Sequence, residues 1–322
     1  MRLFIARLSA ALICLALVVP FTQAGTIRDD RNPDLYLQLG AMSQYASVGQ
    51  LRINTLDGTY LGSGTLISNN WVLTAAHCVN KATSLTFSIN GSQYSAARWI
   101  ANPQWNGDPL RGYDLGLVQL RSPVSNIAPA KRYTGLSETG MVGTTVGYGM
   151  TGTGLTGAIT YDGKKRAGQN SIDLLTAGLG KDAKVLLTDF DNPLKKADSL
   201  LGSWKPLNLE YLAAPGDSGG GLFLDSKSGP LLAGITSFGL AYDGKVDSDY
   251  GDLAGYTRVS VFNSWIDKTI QAYASTTTSL TVAAGLSSVQ SFDTMTTPEP
   301  ATLMLRAGGL GGLVFVRRRR RA

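Results

Sequence analysis

Apolar residues recur in short runs from about residue 48 to residue 260, and Gly, Asn, Asp and Pro separate the runs. Some runs alternate apolar and polar positions and others are continuously apolar, which is typical of strands in antiparallel sheets. We predict strands over residues 48–53, 64–67, 71–74, 115–120 and 231–238. Many short strands joined by glycine-containing turns predict an all-β barrel or sandwich.

One stretch near the end of this pattern has the helical period instead. Its apolar residues fall on one face of a helix: Val261, Phe262, Trp265, Ile266, Ile270 and Tyr273. Ser260 precedes them and is a residue type that caps helix N-termini. After this stretch the sequence becomes rich in Ser and Thr, so we predict that the folded domain ends at residue 273 and that residues 274–297 form a linker.

The formal net charge of +6 could suggest a nucleic-acid partner, but the charge lies at the two ends. Eight of the 29 basic residues fall in residues 1–24 and 301–322, which contain no acidic residue. The remaining chain carries 21 basic and 23 acidic residues. We therefore predict no nucleic-acid partner for the body of the chain.

Residues 1–24 have the organisation of a secretory signal peptide. Two arginines open the segment, residues 8–19 form an apolar run too short to span a bilayer, and Ala24 closes a small-residue cleavage site. We expect cleavage there and export of the protein. The mature chain then keeps Cys78 as its only cysteine, so we expect no internal disulfide.

The C-terminus has three parts: Pro298-Glu299-Pro300, the weakly apolar residues 301–316, and five arginines at 317–321. This order resembles the PEP-CTERM sorting signal of Gram-negative bacteria over residues 298–322. The resemblance implies processing by an exosortase, transient membrane association, and delivery to the cell envelope or extracellular matrix. Sixteen residues reach about 24 Å as a helix, less than the ~30 Å of a bilayer core, so we expect a processed signal rather than a permanent anchor.

Two segments carry the candidate chemistry. His77, the only histidine, lies in the sequence Leu-Thr-Ala-Ala-His-Cys at 73–78, and Ser218 lies in Gly-Asp-Ser-Gly-Gly at 216–220. A serine hydroxyl becomes a good nucleophile when a neighbouring base takes its proton, and imidazole is suited to that role. A zinc site needs several further ligands and no second histidine exists, so we predict no metal and no cofactor.

These segments resemble a known family. Residues 64–78 are similar to the histidine segment of chymotrypsin-like (trypsin-family) serine proteases, 113–117 (Tyr-Asp-Leu-Gly-Leu) to the aspartate segment, and 216–220 to the serine segment. Three more matches follow the family order: 146–149 at the Gly-Trp-Gly turn, 235–239 at the substrate strand, and 256–259 at the pocket wall. The resemblance extends from about residue 48 to residue 273.

The resemblance implies two six-stranded antiparallel β-barrels with a C-terminal helix, in a protease domain over residues 46–273 that follows an N-terminal segment, 25–45. It implies a serine endopeptidase that cleaves polypeptide substrates through an acyl-enzyme. Ser218 would be the nucleophile, His77 the base and Asp114 the acid that orients the imidazole. The amides of Gly216 and Ser218 would form the oxyanion hole.

The resemblance also places substrate-binding residues. Leu212 would form the floor of the specificity pocket, where trypsin-like specificity would need an acid, so we expect a small or apolar residue before the scissile bond. Ser237, Phe238 and Gly239 would pair with the extended substrate backbone, with Ser237 behind Asp114. The facing pocket wall would be Ala254 or Gly255, a choice that the sequence leaves open.

The chain departs from the family at its cysteines and at its activation segment. Gly62 stands where the family has the disulfide partner of Cys78, and the cysteine before the serine segment is replaced near Ala214. The family pairs Asp217 with the ammonium group of a new N-terminus, but residues 25–48 contain no Arg or Lys followed by such a start. Either another cation pairs with Asp217, or a terminus near residues 25–26 reaches it.

Two alternatives to a peptidase remain. A catalytically silent envelope or matrix protein could use a protease fold for binding. A lipase or esterase would use the same triad, but residues 216–220 lack the Gly-x-Ser-x-Gly elbow and the order His, Asp, Ser opposes that class.

Overall fold

A computed structural model of the chain describes residues 25–241 and 243–283. The predicted signal peptide and the predicted sorting signal lie outside these residues. The described strands are β1 Gly25–Ile27, β2 Val48–Thr55, β3 Gly58–Ser68, β4 Trp71–Thr74, β5 Ser84–Ile89, β6 Ser92–Ala101, β7 Gly116–Leu120, β8 Lys131–Arg132, β9 Val142–Gly147, β10 Thr151–Thr153, β11 Gly157–Thr160, β12 Arg166–Ser171, β13 Leu174–Leu175, β14 Val185–Asp189, β15 Tyr211–Leu212, β16 Gly221–Leu224, β17 Leu231–Leu240 and β18 Leu253–Arg258. The described α-helices are α1 Pro33–Ala41, α2 Ala76–Val79 and α3 Asn263–Ala283.

The first half of the fold is a closed six-stranded antiparallel barrel with the strand order β2-β3-β4-β7-β6-β5. Alternation of buried and less buried residues along β5 shows one face of the strand turned to the interior. Leu51, Leu73, Phe87 and Leu117 are fully buried inside it. The short helix α2 follows β4 directly, so the barrel fixes the position of His77.

The second half is a larger sheet with the order β12-β9-β16-β17-β18-β14-β13, and β8 pairs with β17 beside it. The predicted all-β fold with a C-terminal helix is confirmed, but this second sheet is open rather than a closed six-stranded barrel. A second apolar cluster fills it, including Leu186, Leu222 and Tyr256. Asp114, at the end of the first barrel, and Ser218, before β16, therefore come from different halves.

The N-terminal segment adds a small sheet and a helix to the second half. Its strand β1 lies between β10 and β15 in the order β11-β10-β1-β15. The side chain of Asn32 caps α1 by accepting a hydrogen bond from the amide of Asp34 at 2.9 Å. Tyr36 on α1 is fully buried, and its hydroxyl donates to the carbonyl of Glu210 at 3.1 Å. The segment is thus attached to the strand that precedes the serine turn.

The C-terminal helix differs from its prediction at both ends. Residues 259–262 form a 3₁₀ turn and α3 begins at Asn263, so the prediction that Ser260 is the N-cap is wrong. Ser260 Oγ instead donates to Glu138 Oε1 at 2.9 Å, and Val261 is exposed. The helix runs on to Ala283, past the predicted domain end at residue 273. Among the described residues, no helix is long and apolar enough to cross a membrane.

Candidate active site

The imidazole of His77 and the carboxylate of Asp114 are in direct contact. His77 Nδ1 lies 2.7 Å from Asp114 Oδ2, and the backbone amide of His77 donates to Asp114 Oδ1 at 2.8 Å. Asp114 therefore binds the same residue through both carboxylate oxygens. A carboxylate on Nδ1 favours the tautomer that carries its proton there and leaves Nε2 free to accept one.

Asp114 is fully buried and held on several sides. The hydroxyl of Ser237 donates to Asp114 Oδ2 at 2.5 Å, so this serine lies behind the acid, where the family resemblance implied it. The backbone carbonyl of Asp114 accepts from the hydroxyl of Thr257 at 2.9 Å. These bonds come from β17 and β18 of the second half, so the contact between the two halves orients the carboxylate.

Two opposing effects act on the pKa of the His77 imidazole. Burial lowers it, but the neighbouring Asp114 carboxylate outweighs that effect and raises the pKa above its ordinary value. The side chain is still 36% exposed, because Nδ1 faces the buried acid while part of the ring faces solvent. The exposed part is the side from which a substrate would approach.

Ser218 lies in a tight turn that packs against the His77 segment. The carbonyl of Ser218 accepts from the amide of Ser63 at 2.8 Å and from the thiol of Cys78 at 3.7 Å. Gly219 has φ +84°, and a Cβ there would lie 2.0 Å from Thr74 Oγ1. Only glycine fits at this position, which lets the turn approach β4 closely.

The amides of Gly216 and Ser218 are available for a ligand. Neither donates a hydrogen bond to any residue in the described part of the chain. Gly216 has φ +96°, a backbone conformation that favours glycine, and its carbonyl accepts from Ser63 Oγ at 3.0 Å. Two free amides on either side of one residue form the kind of site that binds a developing oxyanion.

The buried side chain between these amides is Asp217. It accepts hydrogen bonds from the amide of Gly149 at 2.8 Å, the hydroxyl of Tyr211 at 2.9 Å and the amide of Ala214 at 3.0 Å. Burial raises the pKa of Asp217 to about 6, although these bonds and the charge of Arg166 act in the opposite direction. All three hydrogen bonds to this carboxylate come from within the described fold.

Cys78 is a free, buried thiol. Gly62 lies opposite it, and a Cβ built on Gly62 would be 3.4 Å from Cys78 Sγ. The position at which the resemblance implied a missing disulfide partner is therefore adjacent to the thiol in space. Cys78 packs as a small apolar side chain beneath the serine turn.

The predicted substrate strand lies at the edge of this site. Ser237 is buried, Phe238 is half-buried and Gly239 is exposed. Gly239 pairs with Ala254 in the β17–β18 register, and a Cβ on Gly255 would lie 2.3 Å from Phe238 Cζ. In this register the strand partner of Gly239 is Ala254, and that of Phe238 is Gly255.

The predicted pocket floor, Leu212, is 1% exposed and belongs to the apolar cluster of the second half. Ala213 and Ala254 lie in the same cluster. These three side chains are packed in the core of the second half, and none of them carries a charge.

A separate group of carboxylates lies in the segment before β18. Asp247, Asp249 and Asp252 each place an oxygen within 4.8 Å of the others. Burial and the neighbouring Asp247 and Asp243 raise the pKa of Asp249 to about 6. Acidic groups of this kind are common without an ion, so we assign no metal to it.

Two residues near the site were missed by the sequence analysis. Tyr211 and Arg166 are both fully buried and both act on Asp217. Tyr211 precedes the serine turn as an ordinary strand residue, and Arg166 is one of many basic residues, so neither carries a recognisable signal. Only the fold brings them to the carboxylate.

Comparison with known proteins agrees with this architecture. The Trypsin family model matches residues 41–172 and 205–266. Serine protease 56 of Mus musculus is 31% identical over 245 residues, which are 69% of this chain and 36% of that protein, so the chain spans about a third of that relative's length.

Two solved structures are similar in fold. HL collagenase has a TM-score of 0.54 at 22% sequence identity, covering 72% of this chain and 96% of the other. Neuropsin, a serine protease of mouse brain, has a TM-score of 0.53 at 19% identity, covering 72% and 97%. The family model covers more than half of the chain, and the matched residues include His77, Asp114 and Ser218. The chain belongs to the trypsin family.

Proposed function

We propose that the protein is an exported serine endopeptidase that cleaves peptide bonds through a His77, Asp114 and Ser218 triad. The observation that carries the proposal is the pair of bonds between Asp114 and His77, at 2.7 and 2.8 Å, beside a turn that presents Ser218. Family membership supports peptidase chemistry, since trypsin-like proteins include serine proteases such as the relatives above.

The mechanism follows from the chemistry of these groups. His77 Nε2 takes the proton of Ser218 Oγ as the oxygen attacks the carbonyl carbon of the scissile bond. The amides of Gly216 and Ser218 stabilise the negative charge on the carbonyl oxygen. His77 then gives the proton to the leaving amine, and an acyl-enzyme remains on Ser218. Water, activated by the same imidazole, hydrolyses this ester and restores the enzyme.

Asp114 stabilises the imidazolium that forms in this sequence. It is buried and bound by Ser237, so its charge is poorly screened and fixed in direction. We propose that Ser237, Phe238 and Gly239 bind the substrate backbone, and that Leu212, with Ala254 opposite Gly239, favours a small or apolar side chain before the scissile bond.

The test is covalent labelling with a fluorophosphonate, which reacts with an activated serine. The wild type should be labelled and should hydrolyse peptides. Ser218→Ala and His77→Ala should lose labelling, with turnover reduced by about 10⁴–10⁶. An unlabelled, folded wild type would favour the silent binding protein, and a Ser218→Ala variant with wild-type turnover would refute the nucleophile.

We further propose that residues 1–24 direct export and that residues 298–322 are a sorting signal processed by an exosortase, which delivers the protein to the cell envelope. The sequence features of both ends support this proposal. Deleting residues 298–322 should leave peptide hydrolysis intact and abolish retention at the envelope. Mass spectrometry of the mature protein should find the arginines at 317–321 removed, whereas their persistence would refute processing.

A further inference from the structure

Asp217 lies between Gly216 and Ser218, whose amides the proposed function assigns to the oxyanion hole. Its own amide donates to the carbonyl of Ala214 at 2.9 Å, and its carbonyl accepts from Gly220 at 2.8 Å. The side chain of Asp217, which carries the carboxylate, is fully buried in the protein. A change in the carboxylate's position would therefore rotate the peptide groups that carry the amides of Gly216 and Ser218.

Three donors hold this carboxylate: two backbone amides and one side chain, the hydroxyl of Tyr211. That hydroxyl binds Oδ2 at 2.9 Å, the same oxygen that Ala214 binds at 3.0 Å. Gly149 binds the other oxygen at 2.8 Å. Hydrogen bonds to both oxygens of a carboxylate, together with a nearby positive charge, favour its ionised form.

The Tyr211 ring is fixed by its surroundings. It is fully buried, and a Cβ on Gly25 would lie 1.9 Å from Cζ of the ring. A Cβ on Gly168 would lie 2.2 Å from Cβ of Tyr211. The ring is therefore enclosed by β1 on one side and β12 on the other, and both strands need glycine at the contact. Burial, followed by the charge of Asp217, raises the pKa of Tyr211 well above its usual range, so its hydroxyl stays a donor.

A buried ion pair lies in the same region. Arg166 is fully buried on β12, where its guanidinium pairs with Asp162 at 2.9 Å, and its charge adds to the hydrogen bonds that lower the pKa of Asp217. Tyr256 also acts on Asp217 and Tyr211; it is a neutral phenol whose pKa is raised to about 12. The environment of Asp217 thus contains a donor and a positive charge from the described chain.

We propose that Tyr211 is a positioning residue: its hydroxyl holds the carboxylate of Asp217, and through it the amides of Gly216 and Ser218, in the orientation that the oxyanion hole needs. The inference rests on the proposed peptidase function.

The first test compares Tyr211→Phe with Tyr36→Phe in the full chain. Both changes remove one buried hydroxyl from the same apolar cluster, but the hydroxyl of Tyr36 binds backbone groups and not Asp217. We expect Tyr211→Phe to reduce kcat by about 10² with little change in KM, because the amides that stabilise the transition state are misplaced. Tyr36→Phe should keep the wild-type kcat. Equal effects of the two changes would refute the positioning role.

The second test does not depend on activity. Carbon-13 NMR of labelled aspartate carboxyls, with Asp217→Asn for assignment, measures the pKa of Asp217 directly. Removing the Tyr211 hydroxyl removes a bond to the ionised form, so the pKa should rise above its value of about 6 in Tyr211→Phe and stay there in Tyr36→Phe. An unchanged pKa in Tyr211→Phe would overturn the proposal even if the wild type proved to have no peptidase activity.

Discussion

Replacing Asp114 with asparagine isolates the role of one negative charge at constant side-chain shape. In the wild type, Oδ1 accepts from the His77 amide, and Oδ2 accepts from both His77 Nδ1 and Ser237 Oγ. An asparagine oxygen can keep the first bond, so the amide nitrogen must occupy the place of Oδ2. That nitrogen is a donor, and it faces two groups that donate in the wild type.

The imidazole then has to change its tautomer. Nδ1 of His77 must become an acceptor, which moves the proton to Nε2 and leaves no base facing Ser218. We expect turnover to fall by about 10⁴, which corresponds to about 5.5 kcal/mol of transition-state stabilisation. The loss of the carboxylate also removes an interaction that raises the pKa of His77, so the remaining activity should rise with pH at a lower midpoint than in the wild type.

The assay is steady-state peptide hydrolysis from about pH 4 to 9, with melting temperature as the measure of folding. Asp267→Asn is the matched control: it makes the same chemical change in an exposed carboxylate that pairs with Arg132. Surface pairs of this kind contribute little, so the control should keep wild-type turnover. An Asp114→Asn protein that is folded and retains wild-type turnover would refute the assignment of the acid.

Three further predictions concern the site's packing. Because Cys78 is free, dithiothreitol should leave the wild-type melting temperature unchanged, and a substantial decrease would reveal an intermolecular disulfide. Gly62→Cys should form a disulfide with Cys78, since a Cβ at position 62 would lie 3.4 Å from the Cys78 sulfur. The disulfide should raise the free energy of unfolding of the oxidised protein by about 3 kcal/mol, as measured by denaturant unfolding. An unchanged free energy of unfolding would contradict that geometry. Gly219→Ala should lower both stability and turnover, because the new Cβ collides with Thr74 and the backbone has φ +84°, whereas wild-type values would show that the turn can relax.

The C-terminal helix shows where pattern reasoning from sequence succeeds and where it fails. Period 3.6 predicted that residues near 261–273 are helical, and α3 confirms the element. It did not predict the 3₁₀ turn that precedes it, because that turn depends on a distant partner: Ser260 binds Glu138, which also pairs with Arg258. A cap assigned from local sequence cannot anticipate a stronger bond from another part of the fold.

The second sheet shows that strands can be predicted from the sequence while their pairing cannot. The short apolar runs predicted strands and an all-β fold, and the structure confirms both. Closure of a sheet, however, depends on how strands distant in sequence pair with one another, and the second sheet remains open where a closed barrel was expected. The N-terminal strand β1 likewise pairs with β10 and β15 in a separate sheet, which its sequence did not predict.

The sequence alone determined the candidate chemistry, because a single histidine and a glycine-rich serine turn are local features that can be read one segment at a time. It also determined the absence of an acid at Leu212 and of a cysteine at Gly62. The tertiary structure decided what surrounds those groups: that Ala254 pairs with Gly239, and that Tyr211 and Arg166 act on Asp217. These contacts join residues far apart in the chain, and hydrogen bonds and buried charges depend on distances that only the folded packing of both halves fixes.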